Sequence, residues 1–358
     1  MSAIQSSIRR LALASAVFVS SARGQTILFA DGFESGLSNW TATGFWNHET
    51  ETDPCGSQKA PFPEGSACAY YGIDSACSYD TGAAPSSGTL TLVTPVLLPS
   101  AGPHARLRCW SAHETEFCDP SAGYFDKFDI DVSVNGGASW TVVSTRCYGK
   151  HGPPEDWEPR GADLTPYLGQ SILVRFRFDT VDEMFNDFLG AFIDRVEIRQ
   201  EVGTTFCTST CPCHGPFNNV GILGYGQVSG CTNSARKEGE LAGRGMPSVA
   251  TDDVVLTTSQ LMPVTLAVLL QSSSSGAGVF RGDGRVCLTG TATRIAAYVT
   301  SGGEISFPQP SDPPLSVAGQ VRPAGGTRYY QVAYRDTGAY CTSSELNFTN
   351  GYAIVWAP

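Results

Sequence analysis

The chain has 358 residues, 41% of them hydrophobic and 16% charged, with 39 Gly, 22 Pro, 12 Cys and a net charge of −11. It is too apolar and too weakly charged for a disordered chain, and its acidity argues against the clustered Lys and Arg that phosphate backbones demand, so nucleic acid is excluded as an expected partner. No segment reaches the ~20 uninterrupted apolar residues of a membrane helix, and frequent Gly and Pro between short apolar runs point to an all-β fold.

Residues 1–22 read as a secretory leader. Arg9 and Arg10 precede the apolar run Leu11–Ser20, and Ser20-Ser21-Ala22 closes it with small residues. The leader directs the remainder to an extracellular or periplasmic space, where disulfides persist. About 335 residues remain after cleavage, enough for two domains. Cysteines fall in two groups: Cys55, Cys68, Cys77, Cys109, Cys118 and Cys147, then Cys207, Cys211, Cys213, Cys231, Cys287 and Cys341. All twelve are expected in disulfides, and their connectivity stays open because even six allow about fifteen pairings.

Predicted strands of the first domain, residues 26–200, begin with Ile27-Leu28-Phe29 and continue with Leu90–Val93. Over 105–116, period-two spacing places Leu107, Cys109, Ser111 and His113 on one face. Over 128–134 it points Phe128, Ile130, Val132 and Val134 inward and Asp129, Asp131 and Ser133 outward. Asn135-Gly136-Gly137 is a hairpin turn, because Asn and Gly tolerate positive φ, and Trp140–Thr145 returns. Strands over 172–178 and 190–198 complete a two-sheet sandwich. Residues 201–214 read as a Cys-rich linker. The second domain, 215–358, has strands predicted over 253–257, 263–271, 285–289, 293–299, 327–334 and 352–356, with a flexible tip at Ser272–Ser275. The fold class expected is therefore an N-terminal jelly-roll-like β-sandwich followed by a second, disulfide-stapled β-sandwich.

The first block resembles the MAM-like jelly-roll domains of secreted bacterial proteins. The resemblance rests on Phe33-Glu34-Ser35-Gly36 with Trp40, Tyr70-Tyr71-Gly72, Tyr79-Asp80-Thr81-Gly82, Gly88-Thr89-Leu90, Thr94-Pro95, Val134–Gly137 with Trp140, and Asn186–Asp194. It implies a binding or scaffold module of surface adhesins or secreted peptidases, with a structural calcium near Asp31, Glu34 and Asp194. Arg195 stands where many relatives carry a second Asp, which removes one ligand. The second block is similar to an uncharacterised C-terminal β-domain of secreted environmental bacterial proteins, through Cys211-Pro212-Cys213, Gly230-Cys231, Gly282–Cys287, Arg328–Gln331, Tyr334-Arg335-Asp336 and Phe348–Gly351. No activity accompanies that similarity.

No catalytic set stands out. Calcium favours six to eight oxygens, and the 31–36 loop offers two acids together with two glycines, although ordinary surface acids explain them equally. His48-Glu49-Thr50-Glu51 and His113-Glu114-Thr115-Glu116 invite zinc, but on a strand His113 points away from Glu114 and Glu116. Those two acids share a face, as glycoside-hydrolysis carboxylates must. Arg281-Gly282-Asp283 is better read as a turn than as an adhesion motif. Trp46 and Trp157 lie in loop-like contexts and are the aromatics expected to be exposed for ligand stacking. The reading is a secreted, non-catalytic binding or adhesion protein for a surface glycan or protein, with a calcium-stabilised first module. The alternatives are a secreted hydrolase or accessory module acting through Glu114 and Glu116, and a structural envelope protein.

Overall fold

The computed structural model describes residues 27–82, 84–100, 104–116, 125–146, 157–208, 211–212, 229–235, 237–338, 340 and 342–358. The predicted leader and Cys118, Cys147, Cys213 and Cys341 lie outside the described residues. The first unit holds β1 (Ile27–Asp31), β2 (Trp40–Ala42), β3 (Trp46–Thr50), β4 (Ala67–Tyr71), β5 (Ser87–Leu92) and β6 (Val96–Leu97). It continues with β7 (His104–Glu114), β8 (Lys127–Ser133), β9 (Thr141–Arg146), β10 (Glu158–Asp163), β11 (Ser171–Asp179) and β12 (Gly190–Glu201). One antiparallel sheet runs β10-β7-β12-β4-β3 with β1 also on β12, and the other runs β2-β5-β11-β8-β9 with β6 also on β11.

The predicted alternation fills the space between these sheets. Leu107 and Cys109 from β7, Phe128, Ile130 and Val132 from β8, and Val174, Phe176 and Phe178 from β11 share one core. Gly136 and Gly137 take φ of 69° and 92° in the β8–β9 turn, as their sequence requires. Two details differ from expectation. Val134 is exposed because it has already left the strand for that turn. Asp129 and Asp131 point outward yet are buried, because Arg177 and Arg175 of the neighbouring β11 lie over them.

The second unit contains β13 (Thr204–Phe206), β14 (Glu240–Arg244), β15 (Val255–Ser259), β16 (Leu266–Ser272), β17 (Ser274–Arg281) and β18 (Gly284–Thr289). β19 (Thr293–Val299), β20 (Ile305–Phe307), β21 (Gly326–Arg335), β22 (Leu346–Phe348) and β23 (Gly351–Trp356) follow. A six-stranded sheet, β13-β23-β21-β16-β19 with β22 on β21, faces the three-stranded sheet β14-β15-β20. Leu241 and Leu256 from the smaller sheet meet Leu269, Tyr330, Val332 and Ile354 from the larger. The segment read as a linker is partly strand: β13 pairs with β23, because its backbone groups complete that sheet's edge. The tip predicted at Ser272–Ser275 instead opens β17, which pairs with β18.

Among the described residues, disulfides join Cys55 to Cys77, Cys207 to Cys287 and Cys211 to Cys231. Cys68 is not bridged, contrary to expectation. It sits mid-strand in β4, closed in by Phe62, Tyr70 and Trp157, and burial pushes its thiol well above the usual range. Cys109 is buried in the first core.

The units meet along a charged seam. On β7 the residues that alternate with the core, Arg106 and Arg108, face outward beside Glu197, Arg199 and Glu201 of β12. Glu201 is buried and accepts from Arg199 Nε at 3.2 Å and Arg199 Nη2 at 3.0 Å. Arg106 and Arg108 stand 3.5 and 3.6 Å from its carboxylate oxygens. From the second unit, Tyr352 donates to Glu201 at 3.4 Å, and Glu240 pairs with Arg108. Replacing Glu201 by Gln leaves three guanidiniums facing a buried neutral amide, so the variant is expected to lose about 3–5 kcal/mol of stability in urea unfolding.

Candidate functional site

Just beyond the seam the two units enclose a cleft of about 690 Å³. That volume falls within the range of small-ligand sites, roughly 300–1,000 Å³. Its floor is the outer face of the first unit's sheet, where Trp110 follows Arg106 and Arg108 at the strand period and is half-buried. Phe62 and one part of Trp157 extend the aromatic surface. The opposite wall is β14–β15: Leu241 and Leu256 face the second core, while Ala242, Arg244, Val255 and Thr257 turn to the cleft. The units approach so closely here that a Cβ on Gly243 would lie 2.5 Å from Val202 Cγ1.

Two cleft residues hold left-handed backbone conformations, which cost a non-glycine residue on the order of 1–2 kcal/mol. Arg195 has φ of 47° at a bulge in β12, where the register slips between Asp194 and Glu197. Such a bulge re-aims a side chain, and Arg195 is exposed at the cleft. Asp194 clamps the bulge by accepting the Arg195 N–H at 2.6 Å. Gln260 has φ of 61° just after β15. It is 9% exposed and lines the cleft, and neither Oε1 nor Nε2 has a hydrogen-bond partner among the described residues. A buried amide with both ends unsatisfied is uncommon and costly.

The residues singled out from sequence are placed differently. Trp46 is 5% exposed, a core residue at 5.5 Å from the Tyr71 ring, because β3 carries it into the first sandwich. Trp157 is 7% exposed; its Nε1 donates to Lys59 O at 2.7 Å and its ring meets Phe62 edge-on, so only part of it reaches the cleft. Glu114 is tied to Lys59 at 2.7 Å, and neither Glu114 nor Glu116 lines the cleft. Asp283 of the Arg-Gly-Asp turn is buried on Thr342, which removes it as an adhesion group.

The three acids expected to bind calcium are turned to separate donors. Asp31 accepts from Phe33 N, Asn39 Nδ2 and Trp40 Nε1. Glu34 accepts from Ser66 N and Ala67 N, and Asp194 from Glu64 N and Arg195 N. Among the described residues no three His, Cys, Asp or Glu side chains gather to hold a metal. In this arrangement the acids fasten loops and the β12 bulge.

No protein-family model and no curated protein matches the chain. Among solved structures it is similar to the glycoside hydrolase domain of Endo-D from Streptococcus pneumoniae R6, at 12% identity and a TM-score of 0.29. That match covers 88% of this chain and 37% of the other, so the chain spans little more than a third of its length. It is similar to the CBM22-1–CBM22-2 tandem of Paenibacillus barcinonensis Xyn10C, at 11% identity and a TM-score of 0.29, over 95% of this chain and 93% of that one. A carbohydrate-binding module of Cellvibrio mixtus lichenase 5A, in complex with cellotriose, matches at 17% identity and a TM-score of 0.27, over 49% and 98%. At these scores function is read from the cleft itself.

The titrating groups set opposite pH limits. Burial raises Glu49, Asp126 and Asp194 to about 7, so each is protonated in the fold well above the pH at which the unfolded chain ionises. Their contribution to stability is full below about pH 4 and is lost as pH rises through about 7. Burial would raise Glu201 too, but Arg106, Arg199 and Arg108 outweigh it and bring the carboxyl to about 2. Its contribution is present above about pH 4.5 and lost as pH falls toward 2. The Tm measured across pH 2–9 is therefore expected to peak on the acid side of neutrality, near pH 5. Adding EDTA at pH 7.5 is expected to leave the Tm unchanged; a drop reversed by calcium would restore the metal.

Proposed function

We propose that the protein is a secreted, non-catalytic glycan-binding protein whose ligand occupies the cleft between the two units. Gln260 carries this reading: a strained backbone presents a buried amide, with one donor end and one acceptor end unmet among the described residues, at the wall of a cavity of ligand size. Trp110 supplies the complementary surface. Sugar rings offer apolar C–H faces and a rim of hydroxyls, which a half-buried indole in a cleft also lined by Arg199, Thr257 and Ser259 is suited to receive. The disulfides among the described residues support the export reading, because such bonds persist in oxidising compartments. The MAM-like kinship of the first sandwich belongs to the same proposal and rests on the motifs from Phe33 to Asp194. The hydrolase alternative through Glu114 and Glu116 gains nothing from the cleft, which those acids do not line.

A glycan array followed by calorimetry on the best saccharide tests the proposal. Trp110→Ala is expected to weaken binding at least tenfold, as for a central aromatic anchor worth about 2 kcal/mol. Gln260→Gly is expected to weaken binding similarly while holding or raising the Tm, since it removes both the strained φ and the unmet amide. Saccharide affinity unchanged in both variants would place the ligand elsewhere, and an array without hits would end the glycan reading.

A further inference from the structure

We infer that the saccharide is acidic and extended, carrying carboxylate or sulfate groups at more than one position. The inference rests on the proposed glycan site and deepens it. The whole chain carries a net charge of −11, yet six of the cleft's lining residues are Arg or Lys and three are Glu. A cleft between low-dielectric walls concentrates such a local field, so its sign selects the ligand more strongly than the distant negative surface does.

Most of the deeper cations already have a task. Arg160 is buried and donates to Phe128 O and Ser144, while Arg108 and Arg199 balance Glu240, Glu197 and Glu201. Lys237 and Arg244 differ. Both are exposed at the cleft, and neither makes an ion pair among the described residues. Lys237 stands just before β14 and Arg244 ends it, so they are seven positions apart, a span of at most about 23 Å at strand rise. Arg195 is the third exposed cation and comes from the facing sheet, where it shares Glu197 at 3.5 Å.

The positive groups are therefore distributed along the cleft, with Trp110 and Gln260 in the same lining. A single phosphate or one isolated acid would be served by cations converging on one point. Cations spread along a strand match an anion repeated along a chain. Guanidinium and ammonium groups both donate to carboxylate or sulfate oxygens, so the shared chemistry is an oxyanion on successive sugars.

The test measures binding of the full chain to oligogalacturonate, oligoalginate and a sulfated galactan oligomer, each against its methyl-esterified or desulfated counterpart. At least one acidic member is expected to bind ten times or more tightly than its uncharged partner, and which arm binds identifies the carboxylate or the sulfate. Its affinity is expected to fall by about tenfold or more between 50 and 500 mM NaCl. Lys237→Ala combined with Arg244→Ala is expected to abolish the preference without changing the Tm. Equal binding of acidic and uncharged forms would overturn the inference and leave the glycan reading standing. Binding of no saccharide, charged or neutral, would overturn both.

Discussion

The Glu201 carboxylate, shut away from water among three guanidiniums, is the interaction on which the rest of the architecture turns. It ends the last strand of the first sandwich, and its partners come from two strands of that sheet while Tyr352 reaches it from the second unit. A buried ion is tolerated only where its neighbours meet its charge and lone pairs, and such a requirement is satisfied in one relative position of the two units. Val202 and Gly203 continue the constraint through backbone bonds to Gly243 O and the Tyr352 hydroxyl. The cleft beside the seam thereby acquires fixed walls before any ligand arrives, which reduces the ordering that binding would otherwise demand.

The same strands that build the core build the site. On β7 one set of alternate residues packs into the sandwich and the other set, Arg106, Arg108 and Trp110, forms the seam and the cleft floor. The inward set was legible because apolar spacing has one physical meaning on a half-buried strand. The outward set was not, because a charged or aromatic residue on an outer face reads as solvated until a second unit covers it. A signal was present: Arg106-x-Arg108 lies on one strand and Glu197-x-Arg199-x-Glu201 on another, and once the two are paired Arg108 falls opposite Glu197 while Arg106 lies between the acids that flank Arg199. Pairing β7 with β12 is a tertiary fact that period-two spacing does not contain.

The misplaced aromatics have a related cause. Trp46 and Trp157 stood among polar residues and Pro, which suggested loops, yet β3 and the neighbourhood of Phe62 bury both rings. Short strands such as β3 and β13 escape notice because a few residues show no clear period. Cys68 illustrates the limit of counting thiols by compartment: its place in the interior of a strand, not the redox environment, left it a small buried hydrophobe. Arg195 and Gln260 could not have been anticipated, since nothing in either side chain favours positive φ; their conformations are imposed by the bulge and by the end of β15.

The bond between Cys207 and Cys287 joins the first turn of chain inside the second unit to a strand 80 residues further on. Tension entering along the backbone from the first sandwich would cross directly from one sulfur to the other. The intervening polypeptide, which includes β14 and β15, would carry none of that covalent load. A molecule held at one end and dragged at the other by flow would thus keep one wall of its recess off the covalent path, joined to the first sandwich only by the seam.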